Sequence, residues 1–149
     1  MLAIFNFFVR ESFAAYAETE LTLGQFAKML EQARIILTLR ECETTVGYGY
    51  LSPYKPFANF ARTAVLTYFI KPSCTGMGYG TGLLESLFEK GREIGIRNYL
   101  AHISSRNEQS LNFHKKHGFK EVGRFKDVAI KFGEIFDVVW VQKQLEDMQ

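Results

Sequence analysis

The stretch Ser73-Cys74-Thr75-Gly76-Met77-Gly78-Tyr79-Gly80-Thr81-Gly82 holds the densest chemical signal in the chain. It follows Arg62 to Ile70, a run rich in β-branched and aromatic residues that favours a buried strand. It leads into Gly78 to Glu93, where Leu83, Leu84, Leu87 and Phe88 recur on one side of a helix. A strand, a glycine-rich turn and a helix start, in that order, make an anion site. The first amides of a helix have no intrahelical acceptor, and the helix dipole adds partial positive charge there. Glycine lets a phosphate come close to the main chain. The arrangement suits a pyrophosphate.

Three phosphate-binding readings compete for this turn. A nucleotide P-loop needs Gly-Lys-Ser/Thr, and the turn has no lysine. A dinucleotide fingerprint needs G-x-G-x-x-G, which no register here supplies, and an acid after the next strand, where Ile103 and Ser104 stand. An acyl-CoA loop needs Gly-x-Gly at the helix start, and Gly78-Tyr79-Gly80 fits. A glycine-rich turn with no ligand stays open on the motif alone.

The titratable residues are fewer. His114 falls in a short helical pattern, Glu108 to Lys116, and an imidazole titrating near neutrality can relay protons. A buried helix residue without a role is the alternative, and His102 and His117 read as structural. Lys55, Arg62 and Lys131 are candidates to attract an anionic substrate group, against solvated surface charge. Cys42 and Cys74 form no CxxC pair and no zinc spacing, so no metal site is expected, and free thiols suit a reducing compartment.

The elements that must position these residues follow from the pattern of the whole chain. Its 149 residues suit one domain, 1–149. With 47% hydrophobic and 23% charged residues the composition is globular, and 14 Phe and 7 Tyr provide a substantial core. A net charge of +2 without a basic stripe argues against nucleic acid. No apolar run reaches the roughly 18 residues of a membrane span, and Met1 to Arg10 lacks signal-peptide features, so the cytoplasm is the expected location. Leu2, Phe5, Phe8 and Val9 predict a helix over Met1 to Ser12. Thr22 and Gln25 form a capping box for a second helix, Leu23 to Ala33. A hairpin follows, Ile35 to Arg40 and Thr45 to Ser52, then a loop from Pro53 to Asn59. Further strands are expected at Asn98 to Ile103, Lys120 to Val128 and Glu134 to Gln142. The order fits an α/β (α+β) fold: one mixed, mostly antiparallel sheet with helices on its faces.

Several segments in order carry a resemblance. Val46-Gly47-Tyr48-Gly49-Tyr50-Leu51-Ser52-Pro53, Tyr68-Phe69-Ile70-Lys71-Pro72, the glycine-rich turn, Asn107-Glu108-Gln109-Ser110-Leu111-Asn112-Phe113-His114, and Lys131-Phe132-Gly133 with Asp137 and Gln142 resemble the phosphinothricin acetyltransferase-like branch of the GCN5-related N-acetyltransferases (GNAT). The resemblance implies a sheet splayed at its centre with acetyl-CoA in the cleft. Main-chain groups of Tyr68, Phe69 and Ile70 would hold the acetyl and pantetheine part. Amides of Gly76, Met77, Gly78, Tyr79, Gly80 and Thr81 would take the pyrophosphate, and Asn107 would contact the pantetheine arm. His114 stands where this branch has a histidine proposed to act in catalysis. Ala58, Asn59 and Phe60 would face the acceptor, a small amino-acid-like primary amine, and a homodimer is expected. A catalytically weak or inactive acyl-CoA-binding sensor or subunit is the alternative.

The chain departs from that branch in three ways. Val65 stands where related enzymes have a glutamate proposed as general base. Thr75 and Met77 are neutral where the turn usually carries polar or basic residues, so charge-assisted bonds to phosphate are lost. The chain opens on what resembles the family's first helix, so a missing first strand and a shortened N-terminus are expected.

Overall fold

The structure is a computed structural model and describes residues 1–147. Its helices are α1 (Leu2–Glu11), α2 (Leu23–Leu30), α3 (Tyr79–Glu93) and α4 (Glu108–Lys116). Its strands are β1 (Ile35–Glu41), β2 (Thr44–Pro53), β3 (Thr63–Ile70), β4 (Asn98–Ser104), β5 (Lys120–Lys131) and β6 (Glu134–Gln144). The six strands form one sheet in the order β1-β2-β3-β4-β6-β5. Every pairing is antiparallel except β3 with β4. The mixed sheet expected from the sequence is therefore present, with β1 at one edge and β5 at the other.

The parallel pair is short. Only Thr63, Ala64 and Val65 pair with Asn98, Tyr99 and Leu100. Beyond that point β3 continues to Ile70 alongside β2, and β4 continues to Ser104 alongside β6. The two strands part, and the main-chain groups that face the gap have no strand partner. This is the splayed centre that the family resemblance implies.

Alternation sorts side chains onto two faces. Ala64, Leu66, Tyr99, Ala101, Ile103, Val139 and Val141 join the core packed under α3 and α4. Tyr48, Tyr50 and Phe69 join a second core under α1 and α2, with Ile4, Phe5, Val9, Phe26 and Leu30. Gly91 lets α3 approach the sheet, because a Cβ there would lie 2.3 Å from Tyr99 Oη. The capping box predicted for α2 is present, with Thr22 Oγ1 accepting from Gln25 N–H and Gln25 Oε1 accepting from Thr22 N–H. The helix stops at Leu30, three residues before the expected end.

Two buried polar groups fix the segments around α1. The Asn6 carboxamide donates to Leu21 O and accepts from Leu21 N–H, which ties α1 to the approach of α2. Lys131 is fully buried, and its Nζ donates to Ser12 O and Ala15 O, both at 2.6 Å, just past the C-terminus of α1. A cation suits the negative end of that helix dipole. The expectation that Lys131 attracts a substrate anion is thereby corrected: its donors are spent on carbonyls inside the protein. Arg62 is likewise engaged, in an exposed ion pair with Asp147. Lys55 lies over the Tyr54 ring, 5.2 Å from its centroid.

Candidate active site

One wall of the cleft consists of β3, the start of α3, and α4. The turn before α3 places Gly76 at φ 75° and Gly78 at φ 80°, left-handed conformations that favour glycine. Gly78 is the N-cap and supplies no side-chain cap. Among the described residues the amides of Gly76, Met77 and Gly78 have no protein acceptor, and the first-turn amides of Tyr79, Gly80 and Thr81 add to them. The turn is thus a concave set of donors at the positive end of a 15-residue helix.

Side chains lock this wall to its neighbours. Gly80 lies so close to α4 that a Cβ would meet Phe113 Cε2 at 3.2 Å. His117 Nδ1–H donates to Phe113 O at 2.8 Å, so Nε2 accepts from the Thr81 hydroxyl at 3.0 Å. His117 thereby ties α4 to the first turn of α3. Tyr68 stands on the open limb of β3, with its ring 5.4 Å from Phe113 and 5.5 Å from His114. Burial holds its phenol well above the ordinary range.

His114 is 2% exposed, among Tyr68, Phe113 and Phe119. Its Nδ1–H donates to Ser110 O at 2.7 Å, which leaves Nε2 as the bare nitrogen. Nε2 is buried and has no partner among the described residues. Burial pushes the imidazole below its ordinary value, so it is neutral near pH 7. Asn107 sits at the mouth of β4 and caps α4, with its side-chain oxygen accepting from Ser110 N–H at 3.2 Å. Tyr68, His114, Gly80, Thr81 and Asn107 therefore gather on one wall.

Ala58, Asn59 and Phe60 lie elsewhere. They form a single 3-10 turn just before β3, and the Phe60 ring contacts Tyr54 rather than the first wall. From there a row of rings crosses the opposite face of the sheet. Centroid separations are 5.9 Å for Phe60 to Tyr54, 6.4 Å for Tyr54 to Trp140 and 4.9 Å for Trp140 to His102. The row continues at 5.5 Å from His102 to Tyr16 and 6.0 Å from Tyr16 to Phe136. Sequence reasoning passed over Tyr16 and Trp140 and set His102 aside. The available signal was alternation: His102 is out of phase with Tyr99, Ala101 and Ile103, so it leaves β4 on the face that α3 does not cover.

A groove of about 910 Å³ opens between the end of α1, the β4–α4 turn and the β5–β6 hairpin. It touches Asn107 but none of the other expected site residues. Asp137, on its margin, accepts from Asp127 N–H and from Arg124. Those bonds pin an irregular stretch of β5 where Asp127 has φ 51° and the register with β6 shifts. They also hold the Asp137 carboxyl below its usual range, the Asp127 amide first and Arg124 second.

A strand pair that opens over an uncapped, glycine-led helix start has the form of the cleft that the resemblance implies, and comparison with known proteins gives the class. Residues 2–140 match the model of the acetyltransferase (GNAT) domain. The chain is 32% identical over 110 residues to a phosphinothricin N-acetyltransferase of Streptomyces coelicolor, covering 74% of this chain and 64% of that protein. It is 30% identical over 151 residues to an L-methionine sulfoximine/L-methionine sulfone acetyltransferase of Pseudomonas paraeruginosa, covering 98% of this chain and 88% of that protein. Among solved structures, a ribosomal-protein-alanine N-acetyltransferase from Brucella melitensis superposes with a TM-score of 0.87 at 32% identity, covering 97% of this chain and 91% of that one. The chain belongs to the GNAT acetyltransferase family, whose acyl donor is acetyl-CoA.

Proposed function

We propose that the protein transfers the acetyl group of acetyl-CoA to the primary amine of a small amino-acid-like substrate by direct attack. The observation that carries this reading is the parting of β3 and β4 after three residue pairs, beside an α3 start whose amides are free. The relatives named for phosphinothricin and methionine sulfone support the acceptor class.

In this reading the residues divide the work. Main-chain groups of Tyr68 and Ile70, which face the gap, pair with the pantetheine amides as a strand would and donate to the thioester oxygen as charge develops there. Those of Phe69, also expected there, face β2 instead, in step with Lys71 N–H, which bonds Val46 O. Amides of Gly76, Met77, Gly78, Tyr79, Gly80 and Thr81 cradle the pyrophosphate. Asn107 holds the arm from the β4 side through its remaining amide donors. Acetyl-CoA supplies an activated acyl carbon with a thiolate leaving group. His114 is the catalytic residue on this wall: Nε2 takes the proton shed by the acylated nitrogen and hands it to sulfur. Ala58, Asn59 and Phe60 border the acceptor.

The wider assignments are a single domain over 1–149, a cytoplasmic address and a homodimer. Cys42 and Cys74 are unbonded, as suits a reducing compartment. Among the described residues no helix is long and apolar enough to cross a membrane. The dimer reading rests on β5, an edge strand of 12 residues that leaves Val122, Phe125, Val128 and Ile130 exposed.

Calorimetric titration with acetyl-CoA, with ATP and NAD as controls, tests the cofactor reading. Saturable binding of acetyl-CoA alone, followed by thiol release with L-methionine sulfone or phosphinothricin, is the expected result. No binding of acetyl-CoA would overturn it.

A further inference from the structure

Val65, at the last paired position before the strands part, offers no proton acceptor. The acceptor side nevertheless contains one. His102 lies two residues beyond Leu100, the partner of Val65, on the open limb of β4 and on the same face as Leu100. That offset is ~7 Å along the strand. Its side chain is exposed, unlike that of His114. Three elements hold it: β4 carries it, Trp140 opposes it across the β6 pairing, and Tyr16 stacks on it from the segment after α1, with ring planes 21° apart.

The bonds around the ring leave one nitrogen free. His102 Nδ1 and Tyr16 Oη are 3.0 Å apart. In the tautomer that carries the proton on Nδ1, Nδ1–H donates to the phenol oxygen and Nε2 is bare, with no partner among the described residues. We propose that His102, in this tautomer, is a second catalytic residue, the base that deprotonates the incoming amine, with Tyr16 as its positioning residue. This rests on the reading of the protein as an amine acetyltransferase. A protonated amine cannot attack, and an amine of ordinary basicity arrives protonated near pH 7. Nε2 takes one proton from the ammonium group. The freed lone pair forms the C–N bond at the thioester carbonyl carbon as the C–S bond breaks. The second proton passes by way of His114 to the departing sulfur, and His102 releases the first to water.

The electrostatic setting agrees. Leu100 and Ser104 on the same face of β4, and Val138, Trp140 and Gln142 across on β6, do not ionise near neutrality. Tyr16 is the ionisable group in contact with the ring, and burial raises its phenol to about 12, so it stays a neutral partner. Tyr54 lies beyond Trp140. Packing against the rings pushes His102 below its ordinary value, so the free base is the form present near pH 7.

The test is kcat/KM against pH with L-methionine sulfone and phosphinothricin as acceptors, for the unaltered protein and for His102→Gln and Tyr16→Phe. A rising limb from acid towards neutral pH is expected in the unaltered protein. His102→Gln should lower kcat/KM about 100-fold and remove that limb, while acetyl-CoA affinity and thermal midpoint hold. Tyr16→Phe should move the limb and lower kcat/KM by less. An unchanged limb in His102→Gln overturns the proposal while the acetyltransferase reading stands, even if the rate falls, because a hydrogen-bond donor at Nε2 would act that way. If the unaltered protein binds acetyl-CoA but acetylates neither amine, the acceptor reading fails and takes this proposal with it.

Discussion

The two sides of the cleft are built from different materials. The wall under α3 and α4 works through main-chain amides: free ones in the glycine turn and unpaired ones on the β3 limb. Its side chains Phe113, His117 and Thr81 lock helices to one another. The opposite face works through side chains brought from far apart in the chain, with Tyr16, Tyr54, His102 and Trp140 meeting in one row of rings. A cofactor common to a family can be held by backbone geometry, which tolerates many sequences. An acceptor must be told apart by side chains.

Substitutions can break this comparison or sharpen it. The largest effect should come from Leu87→Ala, because Leu87 is fully buried between α3 and the sheet. A loss of about 2–5 kcal/mol in denaturant unfolding is expected, with acetyl-CoA binding and turnover falling together. Lys131→Met should cost about 2 kcal/mol by leaving the Ser12 and Ala15 carbonyls without their donor. Because those carbonyls hold the segment that carries Tyr16, acceptor KM should rise while the calorimetric Kd for acetyl-CoA holds. A parallel loss of acetyl-CoA affinity would show that the two sides are not separable.

Gly78→Val tests the other wall. A β-branched residue at φ 80° costs about 1–2 kcal/mol, so acetyl-CoA affinity should fall about tenfold with acceptor KM unchanged. The smallest effect is a pH dependence. His114 has a folded-state pKa below its unfolded value of 6.5, so the unfolded chain takes up the proton first. The stability linked to His114 is complete above pH 6.5 and is lost as pH falls from there through the folded pKa. Thermal midpoints measured between pH 7.5 and 5 should therefore decline less steeply in His114→Phe; an identical slope would remove His114 as the source.

The wall of β3, α3 and α4 was legible in the sequence because its signals are local. Gly78-Tyr79-Gly80 at a helix start and the β-branched run of β3 each act within a few residues. The opposite face was not, because its contacts join positions far apart: His102 meets Tyr16 across 86 residues. Lys131 was misjudged for the same reason, since its carbonyl partners lie more than 100 residues away at the end of α1.

Hydrophobic periodicity and glycine placement thus determined the order of elements, the mixed sheet and the anion turn, since each depends on local backbone preference. Which histidine is sealed and which is exposed was decided only by tertiary packing. His114 and His102 both occupy regular elements, and composition does not tell them apart. Burial among Tyr68, Phe113 and Phe119 seals the one, while the face left uncovered by α3 opens the other. Alternation assigns a strand side chain to a face, but its solvent exposure depends on what the rest of the chain lays over that face.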